Sequence, residues 1–442
     1  MKFFANTYRV VFGILFLYLF INIPIYIQTN TYKLPIIRMQ LIELIAWVSA
    51  LGYLSLFLFA KKIHVWLEPN LVKTYFVWLA YSLLSIVLLV RFSYQIPYYF
   101  YLIFTLLPYY FLFVMQLIGF TELNREKTLT FLNQTILWLG KAYIPVFAFA
   151  CLQYIFKSDF VNLNTEEKTL QATSELLGSF RPRSIFNSSY EFGLYSLLVF
   201  CLFIPLIDIK ELKKNKVVLW ITVLSAIGIV LSFTRNVYLL WGMVLIVLYV
   251  FKEWQNAIFL KRILPHIFTI LSFALLLILS FQALSGVMLT DFLSSESTFV
   301  RFSLLYALME GLVLNGSIID ILFGWGLIQH AGDSNLISIF PDIYNSEDGT
   351  LGVDNLFFAV FLNQGLIGLG IYLVLFQKMW NKLCSYYYAS KNALILSSIL
   401  LLGSFLGAGV FNLVHYGIYG YFVWFFAFAA LSLFPRKKES SS

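Results

Sequence analysis

The sequence predicts an all-α, polytopic integral membrane protein with about twelve membrane-spanning helices. Three observations predict it. The 442 residues are 60% hydrophobic and only 12% charged, less charge than a soluble domain of this length carries. Apolar stretches near the roughly 20 residues needed to cross a bilayer recur along the whole chain. Basic residues fall mostly on alternate connections, as the bias of Lys and Arg toward the cytoplasmic side requires.

In order, the expected spans are 10–27, 40–60, 74–90, 98–120, 131–156, 190–207, 217–233, 236–251, 264–284, 355–376, 393–411 and 417–434. The first follows MKFFANTYR without a small-residue cleavage site and reads as an uncleaved anchor. Glu43 lies one turn inside the second span and Lys141 inside the fifth, and charges within spans are functional candidates by default. The seventh and eighth spans are joined by almost nothing. Gly365, Gly368 and Gly370 in the tenth, and Gly403 and Gly407 in the eleventh, suit close helix contact. No soluble domain and no repeat of solenoid period interrupts this order, so 1–442 reads as a single membrane domain.

An even number of spans with the N-terminus inside puts both termini on the cytoplasmic side. Of the 30 basic residues, the outer side then holds only Lys33, Arg38, Arg91, Lys157, Lys168, Arg181, Arg183, Arg235 and Arg301. Most of the 22 acidic residues face outward. The net charge of +8 is therefore topology, and a nucleic-acid surface is excluded. Cys151, Cys201 and Cys384 lie in spans or face inward, so they build no outer disulfide framework, and no Cys/His spacing marks a metal site. His64, His266, His330 and His415 are dispersed.

Two outer connections are long, 157–189 and 285–353. Within the second, Phe299, Phe302, Leu305, Tyr306, Met309 and Leu312 recur at three- and four-residue spacing. That pattern predicts an amphipathic helix over 296–314, lying at the membrane surface or capping the bundle. Ser294, Ser295 and Ser297 offer its start. LFGWGL at 322–327 reads as a tight turn, and the polar, acidic 332–353 reads as a lid.

Four segments carry candidate chemistry. In SFRPRSIFNSSYEF, Pro182 fixes the backbone between Arg181 and Arg183 at the start of the sixth span. Both arginines suit phosphate, whether of a substrate or of lipid headgroups. Glu191, early in that span, complements the helix N-terminus. In LSFTRNVYLLWG, Thr234 is the expected N-cap, which puts Arg235 in the first helical turn. A cation there is locally unfavourable, and becomes favourable when an anion binds. Arg301 lies on the amphipathic helix, on a solvated face or at a site. Asp354 opens the tenth span, either as its N-cap or as a general base at the membrane rim.

These segments occur in the order R-x-x-S-x-F (Arg181, Ser184, Phe186) with Gly193 seven residues on, an arginine opening a span after a tight turn (Arg235), an arginine-bearing amphipathic helix leading into G-x-G (Arg301, Gly324, Gly326), and [HD]-N-x-[YF]-L (Asp354, Asn355, Phe357) before GLIG. The ordered set, over roughly residues 170–376, resembles the bacterial O-antigen ligase and O-antigen polymerase (Wzy) superfamily of GT-C-type membrane glycosyltransferases. The resemblance implies a metal-independent transferase, with no cofactor, on the outer face of a bacterial cytoplasmic membrane. It implies that Arg181 and Arg235 hold the diphosphate of an undecaprenyl-linked glycan with Arg301 nearby, Arg183 being a competing match for Arg181. It also implies that Asp354 activates an acceptor hydroxyl, with Glu191, Asn355 and Tyr190 near the substrates. Ligases of the family carry His where Asp354 stands, so the resemblance points to the polymerase branch. Ser189 and Tyr190 stand where the family has Pro-Asn. A flippase and a chain-length regulator are the implied partners. Ligation to another acceptor, transport of a lipid-linked glycan and a non-catalytic assembly role are the alternatives. A transporter would show internal repeats and charges at mid-membrane.

Overall fold

The computed structural model describes residues 69–88, 125–158, 180–207 without 187, 216–252, isolated positions between 263 and 274, 317–324, 355–411 and 418–433. The elements described there are helical: α1 (Pro69–Leu88), α2 (Arg125–Phe156), α3 (Ser189–Phe203) with a 3-10 turn at Ile204–Leu206, α4 (Lys216–Leu231), α5 (Arg235–Lys252), α6 (Ile318–Phe323), α7 (Leu356–Ser390), α8 (Ala393–Phe411) and α9 (Ile418–Leu433). Four described stretches are long and apolar enough to cross a membrane: Leu132–Phe156, Ser189–Leu206, Arg235–Lys252 and Ala393–Val410. They coincide with four expected spans. The expected spans 10–27, 40–60 and 98–120, nearly all of 264–284, Glu43, the amphipathic helix 296–314 with Arg301, the segment 332–353, His330, His415 and Asp354 lie outside the described residues.

Each peripheral helix buries one stripe at three- and four-residue spacing, as a one-sided helix must. On α2 the stripe is Leu132, Ile136, Leu139, Tyr143, Val146 and Ala150. On α5 it is Val237, Leu240, Val244, Val247 and Phe251. On α1 it is Leu71, Tyr75 and Trp78. α3 from Phe192 onward and α8 are buried on all faces and form the centre. Trp78, Tyr372, Phe376, Trp424 and Phe428 pack as one ring cluster that joins α1, α7 and α9.

The opposite faces remain apolar. Trp138, Ile155, Trp220 and Ile246 are each more than 60% exposed. Lys141 shares this outer surface, with its ammonium 5.6 Å from the Trp138 ring centre.

Contacts along the helices order their ends. Ser397 on α8 donates to the Leu202 carbonyl near the end of α3, and Asn355 donates to the Val410 carbonyl near the end of α8. Phe251, near the end of α5, packs on Trp380, Tyr387 and Tyr388. The N-termini of α3, α5 and α7 therefore share one end of the bundle.

α7 is not one continuous helix. Gly365 breaks it with φ 65° and ψ −170°, and α6 fits against the break. A Cβ on Gly365 would overlap the Leu322 carbonyl of α6. The freed backbone is satisfied locally: the Tyr81 hydroxyl donates to the Gln364 carbonyl at 2.9 Å. Buried Gln364 in turn donates from Nε2 to Ser82 Oγ at 2.9 Å. The expected close contact at Gly370 is absent, because nothing described lies within 4 Å of a Cβ built there.

The two glycines should separate cleanly. Gly365→Ala meets both a left-handed backbone and an occupied space, and should destabilise the protein by about 2–4 kcal/mol. Gly370→Ala should be neutral or stabilising by up to about 1 kcal/mol, from helix propensity alone. Thermal unfolding of the purified protein in one detergent would measure both, and equal shifts would refute the assigned roles.

Candidate functional site

The end that holds the helix N-termini also holds Arg181, Arg183 and Arg235. Burial alternates along their first segment: Pro182, Ser184 and Phe186 are buried, while Arg181, Arg183 and Ile185 are partly exposed. Ser184 adopts a left-handed backbone, φ 54°, at the head of a turn closed by Phe186 N–H donating to the Arg183 carbonyl at 3.0 Å.

Gln153 on α2 holds this irregular backbone. Its Nε2 donates to the Ser184 carbonyl at 3.0 Å. Its Oε1 accepts from Arg183 N–H at 3.1 Å and from Ser184 N–H at 2.7 Å. Ser184 Oγ adds a bond to the Val146 carbonyl at 2.7 Å. Phe186 packs on Tyr195 at 5.3 Å and on Phe192 at 6.5 Å. Gly193 lets α3 close on the next turn, since a Cβ there would lie 2.8 Å from Ser232 Oγ and 2.9 Å from Val237 Cγ2. The Ser, Phe and Gly of the first motif are therefore scaffold, and the arginines are what the scaffold presents.

The second arginine follows a three-residue turn in which Phe233 is also left-handed, φ 48°. Tyr154, next to Gln153, stacks on Phe233 at 5.6 Å. α2 thus grips both arginine segments with adjacent residues. α5 begins at Arg235, as expected, and Arg235 is exposed. The expected capping bond from Thr234 is replaced: the tight turn folds its hydroxyl back to the Ser232 carbonyl at 3.0 Å.

The Arg181 guanidinium lies within electrostatic range of the Tyr238 hydroxyl, one turn after Arg235 on α5, and that hydroxyl donates to the Val230 carbonyl at 2.5 Å. Arg181 Nε is shielded from solvent and has no hydrogen-bond partner among the described residues. The backbone N–H of Arg183 is committed to Gln153.

The other expected residues divide. Tyr190 and Glu191 occupy the first turn of α3, behind the N-cap Ser188, whose Oγ accepts from Glu191 N–H at 3.2 Å. The Glu191 side chain is exposed, and Tyr190 is partly buried. Asn355, expected near substrate, is 3% exposed and its amide is used twice within the fold. Oδ1 accepts from Phe358 N–H at 2.9 Å and Nδ2 donates to the Val410 carbonyl at 2.9 Å. Asn355 is thus the N-cap of α7, a role the sequence had offered to Asp354. Among the described residues no three His, Cys, Asp or Glu side chains gather closely enough to hold a metal ion.

Sequence reading missed Gln153, Tyr154 and Tyr238. For Gln153 the signal was present: the α2 stripe from Leu132 to Ala150 continues, three residues on, to Gln153. A polar residue at the last position of an apolar stripe needs a partner.

Chemically, this end combines the guanidinium groups of Arg181, Arg183 and Arg235 with helix N-termini. No carboxylate among the described residues pairs with Arg181 or Arg235. The arrangement favours an anion with several oxygens, such as a phosphate or diphosphate. Comparison of the chain with protein-family models, with curated proteins and with solved structures finds no match.

The clamp is testable apart from any activity. Gln153→Leu keeps the apolar stripe but strands three backbone groups of residues 183 and 184, at about 1–3 kcal/mol each. Trypsin should then cut the Arg183–Ser184 bond at least roughly tenfold faster in reconstituted protein of unchanged helicity. An unchanged rate would mean that the amide does not hold the segment.

Proposed function

We propose that this chain is a membrane-embedded glycosyltransferase that polymerises oligosaccharide repeats carried on undecaprenyl diphosphate. In this reading about twelve spans form a GT-C-like bundle in a bacterial cytoplasmic membrane, with both termini inside. The arginine end faces outward and works without a metal. The exposed apolar faces of α2, α4 and α5 support embedding in hydrocarbon. The holding of the Arg181–Arg183 segment and of the turn before Arg235 by adjacent residues of α2, at one end of the bundle, carries the proposal of a diphosphate site.

The reaction follows from those charges. The acceptor hydroxyl oxygen attacks the anomeric carbon of the donor glycan from the face opposite the diphosphate. The bond from that carbon to the diphosphate oxygen breaks, and its electron pair leaves with the diphosphate. The guanidinium groups of Arg181 and Arg235 stabilise the charge that develops there. The hydroxyl proton passes to the Asp354 carboxylate. The product linkage is inverted, and the growing chain is moved onto a new repeat unit. Supply of the donor falls to a flippase, and a separate protein regulates chain length.

One observation favours a second reading. α7 is broken at Gly365 beside the buried Gln364 and Ser82, and broken helices with buried polar groups are a feature of transporters. A lipid-linked glycan transporter would move its substrate and leave it unextended.

Purified protein given lipid-linked repeat units should produce a polymer ladder, whereas a transporter would not. Arg235→Lys and Arg181→Lys keep the charge and lose the fork, and each should lower turnover roughly 100-fold with unchanged thermal stability. Asp354→Asn should abolish extension with α7 intact, since Asn355 supplies the cap. Wild-type ladders from all three variants would overturn the proposed site.

A further inference from the structure

A second feature lies far from the arginines. α1 and α7 run antiparallel: Ser82 meets Gln364 near the break, and Thr74 meets Lys378 further along. Between them, past the break, runs a groove of ≈ 540 Å³, within the range of small-ligand sites. Its walls are Val77 on α1 and Leu366, Ile367, Ile371 and Val374 on α7, and four of these five side chains are openly exposed. Lys73 and Lys378 stand at the end away from the break, where Lys378 Nζ donates to Thr74 Oγ1 at 2.6 Å. Among the described residues that line the groove, none is acidic.

Position along the helix matters as much as composition. Lys378 lies two residues before Trp380, on which Phe251 at the far end of α5 packs, and roughly 24 Å of unbroken helix separates Phe251 from Arg235, at about 1.5 Å per residue. That length approaches the roughly 30 Å hydrocarbon core of a bilayer, and lysine side chains extend it. If the N-terminus of α7 lies at one membrane surface, both lysines lie at the other, at headgroup depth. Hydrocarbon then fills the exposed groove, and its two cations need an anion that the described lining does not supply.

We infer that this groove is a binding site for one anionic phospholipid, with an acyl chain against α1 and α7 and the phosphate at Lys73 and Lys378. The leaflet is the one opposite the arginine end. The inference rests on membrane embedding and not on glycan transfer, so it stands or falls separately from the proposed reaction.

The test uses the full-length protein in detergent, loaded with phosphatidylglycerol or with phosphatidylcholine of the same acyl chains. Native mass spectrometry counts the lipid retained. Wild-type protein should keep one phosphatidylglycerol in preference to phosphatidylcholine. Lys73→Gln and Lys378→Gln should each reduce that preference about fivefold. Gly370→Leu projects into open space in the groove, because nothing described lies within 4 Å of a Cβ there. It should reduce retention of the lipid without lowering the thermal midpoint, which separates blockage from misfolding. An unchanged preference in the double lysine variant would overturn the inference. So would full retention by the Gly370→Leu variant, or displacement of the lipid by millimolar inorganic phosphate, since that would mark a simple anion site. A protein that makes no polymer yet keeps this lipid selectivity would count against the transfer reading alone.

Discussion

The arginine end depends on one buried amide. Gln153 is fully buried at the end of the α2 stripe and uses its carbonyl and its amino group on the backbone of Arg183 and Ser184. Without it, a left-handed residue and its neighbours would present unpaired polar groups to an apolar interior, at several kcal/mol in sum. With it, the segment is held against α2, and Tyr154 holds the Phe233 turn beside it. Two arginine-bearing segments from separate parts of the chain are held by two consecutive residues of a third helix.

The same physical rule governs the rest of the bundle. At several places where the described backbone departs from regular helix, a polar side chain closes the gap. Asn355 caps α7 and ties it to α8. Tyr81 meets the carbonyl freed near the Gly365 break. Thr234 and Tyr238 satisfy carbonyls around the α4–α5 turn. An apolar surround offers no water to do this work, so irregular backbone persists only where side chains complete it. Those irregular places are also where the candidate sites lie. Ser184 and Phe233 are non-glycine residues at positive φ, each within three residues of a site arginine.

Much of this was legible in the sequence, and particular residues show why the rest was not. Apolar length alone located the stretches that became α2, α3, α5 and α8, because burial of a long helix needs only composition. The placement of Arg235 in a first turn was legible from the short SFT connection. The cap was misread at Asp354, and Thr234 stands at its expected N-cap position but turns its hydroxyl to the Ser232 carbonyl, because side-chain capping depends on which group the local turn directs toward the free N–H groups. Gly365 and Gly370 look alike in the sequence. One is pressed against α6 and the other faces an open groove, and the difference is made by a helix some forty residues earlier in the chain.

Hydropathy and charge order are properties of the chain itself, so the sequence by itself determined the helical class, the helix positions and the unusual arginines. Each follows from local free energies of transfer and of helix formation. Which arginine segments are held together depends on contacts between residues distant in the chain, and those were decided only by the tertiary structure. Gly193 sets how closely α3 approaches the α4–α5 turn, and Gln153 sets where the Arg181 segment is held. A list of residues records neither the approach nor the hold, because both arise from surfaces that exist only once the helices have packed.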